Sequence, residues 1–363
     1  MNNQGHHIRE RTDVLKVGIG GFGFMGRMHY RCWKALADVE VTAICDADPQ
    51  ALQDAAKSRG NIAGAEGGVD LAGVKIYGDF AQMIQHEPLH AVSITLPTHL
   101  HAKSTIAALD AGLHVLCEKP MALNLADATR MIEAARRSGK VLQIGHCIRF
   151  WPEYAKAKQI VDSGQHGRVI AATFQRLAAT AARKTPSWFT NEALSGGMPL
   201  DLHIHDTDFI QYLFGMPRSV CSCGVSAGEG GLTHLVTRYG YDDDKLVTAE
   251  GGWAMMPTFG FEMRFHIALE RATIAFDYHR QPALRLCLAE GEAIAPPCEE
   301  GDGYSRQIAH FAQRTGGEDV PPVTTLQQAW DSLRIVLAER ESARSGCPVT
   351  LDGPGPTGGC RAR

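Results

Sequence analysis

The sequence predicts an α/β protein of two domains: a parallel sheet wound with helices, then an α+β domain with a large, mostly antiparallel open sheet. Three observations carry this. The first ~145 residues alternate short apolar runs with helix-period segments, the strand–helix–strand pattern of a parallel sheet. The pattern changes near His146, and from Val220 to Leu288 strand-like runs follow one another with no helices between them, which marks an antiparallel meander. The 363 residues also exceed one domain at ~150 residues each. The expected division is 1–146, 147–348 and a flexible tail 349–363, whose glycines and prolines argue against packing.

The first domain is read in order. Leu15–Gly20 is a short apolar run, a buried strand. Phe24–Ala37 places Met25, Met28, Cys32 and Leu36 on one helical face. Val39–Cys45 is the second strand. Asp48–Arg59 reads as a helix with Asp48 as N-cap and Pro49 at its first position. Gly60–Gly73 is a loop, Val74–Tyr77 a weak strand, and Asp79–His86 a short helix. Ala91–Leu96 and the helix His99–Ala111 follow, ended by Gly112. His114–Cys117, the helix Asn124–Ser138 closed by Gly139, and Val141–Ile144 complete six strands.

In the second domain Pro152–Ser163 is a helix and Val169–Leu177 a strand. A helix over Asp201–Leu213 precedes strands at Val220–Val225, Leu232–Tyr239, Lys245–Met255, Phe261–Leu269, Ala272–Asp277 and Leu284–Leu288. Tyr304–Thr315 and Leu326–Ser345 are terminal helices.

Composition bounds the function. Hydrophobic residues make up 44% and charged residues 21%, ordinary for a globular core. A net charge of -4 without a basic run argues against nucleic acid or an anionic membrane as partner. The polar N-terminus lacks the apolar segment of a signal peptide, and no run approaches the ~18 apolar residues of a membrane span. Ten cysteines show no repeated spacing; Cys221 and Cys223 share a strand face but lack a second pair for zinc. A cytoplasmic protein with reduced thiols is expected.

The chemistry starts at Gly21-Phe22-Gly23-Phe24-Met25-Gly26, a G-x-G-x-x-G turn between a strand and a helix. The first glycine makes the turn, the second admits a pyrophosphate, and the third lets helix and strand pack. The helix N-terminus offers free N–H groups and the positive end of its dipole. Gly18-x-Gly20-x-x-Gly23 is a second register; the later one leaves the longer strand. Asp46 closes the second strand about 20 residues on, where a carboxylate bonds the adenosine ribose and repels a 2′-phosphate. This favours NAD over NADP, so the first domain reads as a Rossmann domain. A turn-capping role for Asp46 is the plainer alternative.

Ligands of such sheets bind beyond the carboxyl ends of the strands. Pro97, Thr98 and His101 follow the fourth strand, so they face the nicotinamide half; Thr98 is also a plausible helix N-cap. Glu118 and Lys119 end the fifth strand at the same rim. Pro120 restricts Lys119 to extended backbone, which fixes where its ammonium points. Asp201 and His205 are four apart on an expected helix, an acid beside an imidazole, which suits a general base. His203, His205, Asp206 and Asp208 are all metal-ligand types, but residues two apart on a helix do not converge, so no metal is expected.

Together these stretches resemble the Gfo/Idh/MocA oxidoreductase family, which includes glucose–fructose oxidoreductase and inositol 2-dehydrogenase. The matching segments are Val17–Tyr30, Leu96–Ala102, Gly112–Met121, Arg149-Phe150 and Gly196–Asp208. The resemblance implies oxidation of a sugar or cyclitol hydroxyl, or the reverse. Lys119 would bind the reacting oxygen and relay its proton, Asp201 would orient lysine and substrate, and His205 would be the acid/base. Arg149, Trp188 and His203 would line the pocket. Thr98 and His146 stand where many members carry Asn. A homodimer or homotetramer is expected because an open sheet leaves a face to cover. Two other readings stay open: a glycoside hydrolase using NAD transiently, and a non-catalytic NAD-binding regulator.

Overall fold

The computed structural model describes residues 14–48, 69–179, 188–226 and 231–351. The helix expected over 48–59, and most of the loop after it, lie outside the described residues.

The first sheet is built from β1 (Leu15–Gly20), β2 (Val39–Cys45), β3 (Lys75–Tyr77), β4 (Ala91–Ile94), β5 (His114–Glu118) and β6 (Leu142–Gly145). Their order is β3-β2-β1-β4-β5-β6, with all pairings parallel. The strand order reverses between β1 and β4, which opens a crevice beyond their carboxyl ends. β4 and β6 are buried along their whole length, as strands covered on both faces must be.

Among the described residues, four helices flank this sheet: α1 (Phe24–Lys34), α2 (Phe80–His86), α3 (His101–Asp110) and α4 (Leu125–Ser138). Their ends follow local chemistry. Asp79 accepts from the Gln82 N–H at the start of α2, and Asn124 accepts from the Asp127 N–H at the start of α4. Gly139 closes α4 in the left-handed region. Thr98 does not cap α3; it opens a short 3-10 turn, Thr98–Leu100, that leads into the helix.

After α5 (Pro152–Asp162) come β7 (Val169–Ala179), α6 (Ile204–Phe214), β8 (Ser219–Val225), β9 (His234–Gly240), β10 (Leu246–Met255), β11 (Phe261–Leu269), β12 (Thr273–Asp277) and β13 (Leu284–Cys287). The second sheet runs β13-β12-β11-β7-β10-β9-β8-β14, where β14 is Val349–Thr350. It is mostly antiparallel but not a simple meander. β7 lies between β10 and β11 and runs parallel to β10, with Leu246 opposite Ala171. The chain must therefore cross over β7 after β10, through the turn Pro257–Phe259.

The flexible tail expected from residue 349 is contradicted at its start. Val349 and Thr350 pair with Val220 and Ser219, and the buried Leu351 donates its N–H to the Arg218 carbonyl at 2.7 Å. The remaining residues, 352–363, lie outside the described part.

The inner face of this sheet packs through an aromatic cluster. Tyr154 meets Phe209, Phe265 and Phe276 edge-on at 4.7, 4.9 and 5.0 Å between ring centroids. The last helices, α7 (Gly303–Thr315) and α8 (Leu326–Ser345), return to the first domain. Phe311 packs edge-on against Trp33 of α1, and Trp330 donates to Thr129 of α4. No helix among the described residues is long and apolar enough to cross a membrane.

Candidate active site

The glycine turn is shaped for a pyrophosphate. Gly21 has φ +87°, and a Cβ there would sit 2.6 Å from the Thr95 carbonyl oxygen. A Cβ on Gly26 would sit 2.1 Å from the Gly21 carbonyl oxygen, so α1 approaches the turn as closely as only glycine allows. Gly23 has open space where a Cβ would be, and as N-cap it places no side chain on the first N–H groups of α1. No acidic residue stands in that first turn to repel phosphate. Gly18 and Gly20 are glycines for a different reason: their Cβ atoms would strike Leu89 and Phe80 under the strand. This supports the later register. The Phe22 side chain points into the core against Tyr30, so only its backbone faces the turn. Phe24 and Met25 are half-buried at the start of α1.

Asp46 fills the turn-capping role. Its carboxylate accepts from the Phe22 N–H at 2.6 Å and from the Asp48 N–H at 2.9 Å, so it closes the turn and braces the glycine loop. Each carboxylate oxygen keeps a further lone pair for a ribose hydroxyl. We expect Asp46→Ala to shift the Kd ratio of NADP to NAD about tenfold toward NADP, ~1.4 kcal/mol. Fluorescence titration with both reduced cofactors checks this; an unchanged ratio would leave Asp46 with the bracing role alone.

The rim of β4 and β5 is tied together from behind. His101 is buried, with Nδ1 2.8 Å from the Pro120 carbonyl and Nε2 2.9 Å from the Leu96 carbonyl. Sequence placed His101 on the dinucleotide; the structure buries its ring between the loops that carry Pro97 and Lys119, where the single N–H of a neutral imidazole can donate to one of the two carbonyls.

Glu118 is likewise turned inward. Its Oε1 accepts from His29 Nε2 at 2.9 Å, and its Oε2 accepts from the Lys119 N–H at 3.2 Å. His29 Nδ1 lies 3.0 Å from Ser93 Oγ, which accepts from Trp33 Nε1 at 2.9 Å. With the Ser93 hydroxyl donating to Nδ1 and Nε2–H donating to Glu118, every member of this chain is satisfied. Burial pushes the Glu118 carboxyl up, but His29 and Lys119 outweigh it and hold it below the usual range. Both Glu118 carboxylate oxygens are thus taken up inside the protein, where the sequence had placed this residue on the dinucleotide. His29, Ser93 and Trp33 escaped sequence reasoning. The inward stripe of α1 is the signal that points to His29, once a polar member is allowed on it.

Lys119 and Asp201 meet. Lys119 Nζ donates to Asp201 Oδ1 at 3.0 Å and to the Asp201 carbonyl, with 13% of the lysine side chain exposed. Asp201 is not on an α-helix, as its spacing from His205 had suggested. Pro199–His203 forms a π-helical turn that continues into α6. Such a turn breaks the regular carbonyl ladder and often marks a functional site; here the Asp201 carbonyl receives the lysine.

His205 follows one turn on. Its Nδ1 is buried without a hydrogen-bond partner among the described residues. Burial, reinforced by the Lys119 ammonium and by Arg176, pushes its pKa well below that of an ordinary histidine.

Arg149 is not a pocket residue. All five N–H donors of its guanidinium are engaged: Asp208 takes two at 2.8 Å each, and Val323, Gln328 and Gln211 take the others at 3.2, 2.8 and 3.0 Å. Asp206 holds Arg176 of β7 in the same way, at 2.9 and 3.0 Å. Both carboxylates once weighed as metal ligands thus hold buried arginines, and no group of three ligand-type side chains converges among the described residues.

His203 is buried between Gly251 and α8, its Nε2 3.4 Å from both Tyr239 Oη and Glu339 Oε2. It packs on the sheet and does not line the pocket. Trp188 is half-buried in a 3-10 turn, edge-on to Phe189, which packs on Trp253.

Comparison with known proteins agrees with this arrangement. Residues 15–146 match the model of an oxidoreductase family with an NAD-binding Rossmann fold, and residues 154–275 match the model of that family's C-terminal domain. An inositol 2-dehydrogenase from Salmonella paratyphi B is 30% identical over 272 residues, covering 68% of this chain and 74% of that one. The scyllo-inositol 2-dehydrogenase (NAD(+)) of Bacillus subtilis is 27% identical over 342 residues, covering 90% and 94%. A solved levoglucosan dehydrogenase, in complex with NADH and levoglucosan, shares the fold with a TM-score of 0.78 at 23% identity, covering 94% of this chain and 100% of that one. With two family models that together match most of the chain, and a relative 30% identical over 68% of it, the chain belongs to the Gfo/Idh/MocA family of NAD-binding oxidoreductases.

Proposed function

We propose that the protein is an NAD-dependent dehydrogenase that oxidises a secondary hydroxyl of a sugar, cyclitol or related polyol, or runs the reverse ketone reduction. The observation that carries this is Lys119 held on Asp201, beside the neutral imidazole of His205, at the carboxyl rim of the parallel sheet. The inositol dehydrogenases among its relatives support the substrate class.

When bound, the nicotinamide supplies the acceptor for the hydride that leaves the carbinol carbon. The chain's own residues handle the oxygen and its proton. The Lys119 ammonium donates to the reacting oxygen and stabilises negative charge as the O–H bond breaks. Asp201 fixes that ammonium in place. His205, kept neutral by burial, accepts the hydroxyl proton on a ring nitrogen; in the reverse direction it returns it. Asp46 sets the preference for NAD over NADP.

The outer face of the second sheet leaves Val236 45% and Leu246 53% exposed, which supports a homodimer or homotetramer assembled there.

A panel of sugars, inositols and sugar acids, assayed with NAD and then NADP, tests the reading. Reduction of NAD by at least one member is expected. NADH binding with no turnover on the whole panel would instead favour a regulator.

The pH profile tests His205. Burial and Lys119 disfavour its protonated form, so the proton binds only below the ordinary histidine range. We expect kcat/KM for oxidation to hold from neutrality down past pH ~6.5 and to fall only at lower pH. An acid limb centred above ~6.5 would remove His205 as the base.

A further inference from the structure

Thr95 follows β4 directly, is half-buried, and has no part in the mechanism above. Its backbone lies against the glycine turn. The Thr95 N–H donates to the Gly20 carbonyl at 2.8 Å, and the Thr95 carbonyl fills the space that a Cβ on Gly21 would need. Its hydroxyl reaches the turn as well. Oγ1 lies 2.6 Å from the Gly21 carbonyl oxygen and 3.1 Å from that of Gly20, so its single hydrogen goes to the nearer one. The same oxygen stands 3.1 Å from where a Cβ on Gly26 would be.

The Gly21 carbonyl shares a peptide plane with the Phe22 N–H, which donates to Asp46 at 2.6 Å. In a trans peptide the two groups point in opposite directions. Thr95 and Asp46 therefore grip one plane from its two sides. That plane needs the grip, because Gly21, at φ +87°, has other backbone wells open to it. The next two carbonyls are occupied too: Phe22 accepts from Arg27 Nη1 at 3.3 Å, and Gly23 from the Arg27 N–H at 3.2 Å. From Gly20 to Gly23 every carbonyl thus meets a donor of the protein. The first N–H groups of α1, which no side chain caps, are left for an anion. A Gly21 carbonyl released from Thr95 would be free to turn its negative end toward that anion.

We propose that Thr95 is a positioning residue of the cofactor site: its hydroxyl locks the Gly21–Phe22 peptide in the orientation a pyrophosphate accepts, so the turn is set before the dinucleotide arrives. The inference rests on NAD binding and holds whichever alcohol is oxidised. If only part of the population is competent, the apparent Kd rises by the inverse of that part. One neutral hydrogen bond biases such an equilibrium by up to about tenfold.

Thr95→Val keeps the shape of the side chain and removes the hydroxyl. Its Kd for NADH and for ADP-ribose, which both carry the pyrophosphate, should rise roughly tenfold, while its Kd for adenosine stays within about threefold. NADH fluorescence, and displacement of NADH by the other two ligands, gives all three values. Thr95→Ser, which keeps the hydroxyl, should bind NADH within about threefold of wild type. Unchanged Kd values for Thr95→Val overturn the proposal. Equal losses for adenosine and ADP-ribose would show a general distortion and overturn it as well.

A second measurement needs no variant. Full-length wild-type protein with nitrogen-15 in its phenylalanines is followed by hydrogen exchange before and after NADH is added. The Phe22 amide should already be protected before NADH, with little further slowing after it. A Phe22 amide that exchanges freely until NADH binds would mean that the cofactor, and not Thr95, orders the plane; that result overturns the inference.

Discussion

Lys119→Ala is expected to cut turnover roughly 1,000-fold or more while the Kd for NADH stays within about threefold. Two contacts explain the size of the loss. The ammonium is the donor for the reacting oxygen, and it is also what the Asp201 carboxylate and carbonyl converge on. Removing it deletes the group that stabilises developing charge and leaves Asp201 without its partner. The dinucleotide is held elsewhere, on the turn from Gly21 to Gly26 and on Asp46, so binding and turnover should separate. Stopped-flow turnover with any substrate found by screening, beside an NADH titration, checks both halves. Retained activity would remove Lys119 from the chemistry; joint loss of binding would show a wider structural effect.

Arg149→Met is expected to destabilise the protein by about 3–5 kcal/mol. All five of its donors are engaged inside the protein, and its loss leaves the buried Asp208 without a counter-charge. Replacing both partners, as Arg149→Met with Asp208→Leu, should cost less than the single change, because no orphan charge remains. Urea unfolding of wild type, single and double variants gives the comparison. A single-variant loss below about 1 kcal/mol would mean that water reaches Asp208 and the pair is not truly buried.

The two domains differ in how much of them the sequence discloses. β1 and β2 were legible to the residue, because β-branched and apolar residues stand in short runs between turn residues. Helix α8 was equally clear, since Thr325 and Gln328 form a capping box at one end and Gly346 closes the other. Strand order in the second sheet was not legible. Nothing in the local period of Val169–Ala179 says that it lies between β10 and β11, because partner choice is a long-range matter.

The candidate site shows the same division. Lys119, Asp201 and His205 stand in recognisable local patterns, and the fold brings the first two into contact. Arg149 was misplaced because its partners Asp208 and Gln328 are 59 and 179 residues away, and a lone arginine carries no mark of burial. The π turn at Pro199–His203 was hidden too, since its residues fit an α-helix as well as they fit the wider turn. Glu118 was misplaced for the same reason as Arg149: its partner His29 is 89 residues away.

The central claim is that this site moves a hydride from a polyol carbon to NAD. The direct measurement is isotope transfer, with wild-type enzyme, NAD and an inositol or sugar deuterated at its carbinol carbons. The account predicts NADH carrying one deuterium from the substrate, and none formed by Lys119→Ala. Unlabelled NADH, or no NADH from any polyol by enzyme that binds the cofactor, would contradict it.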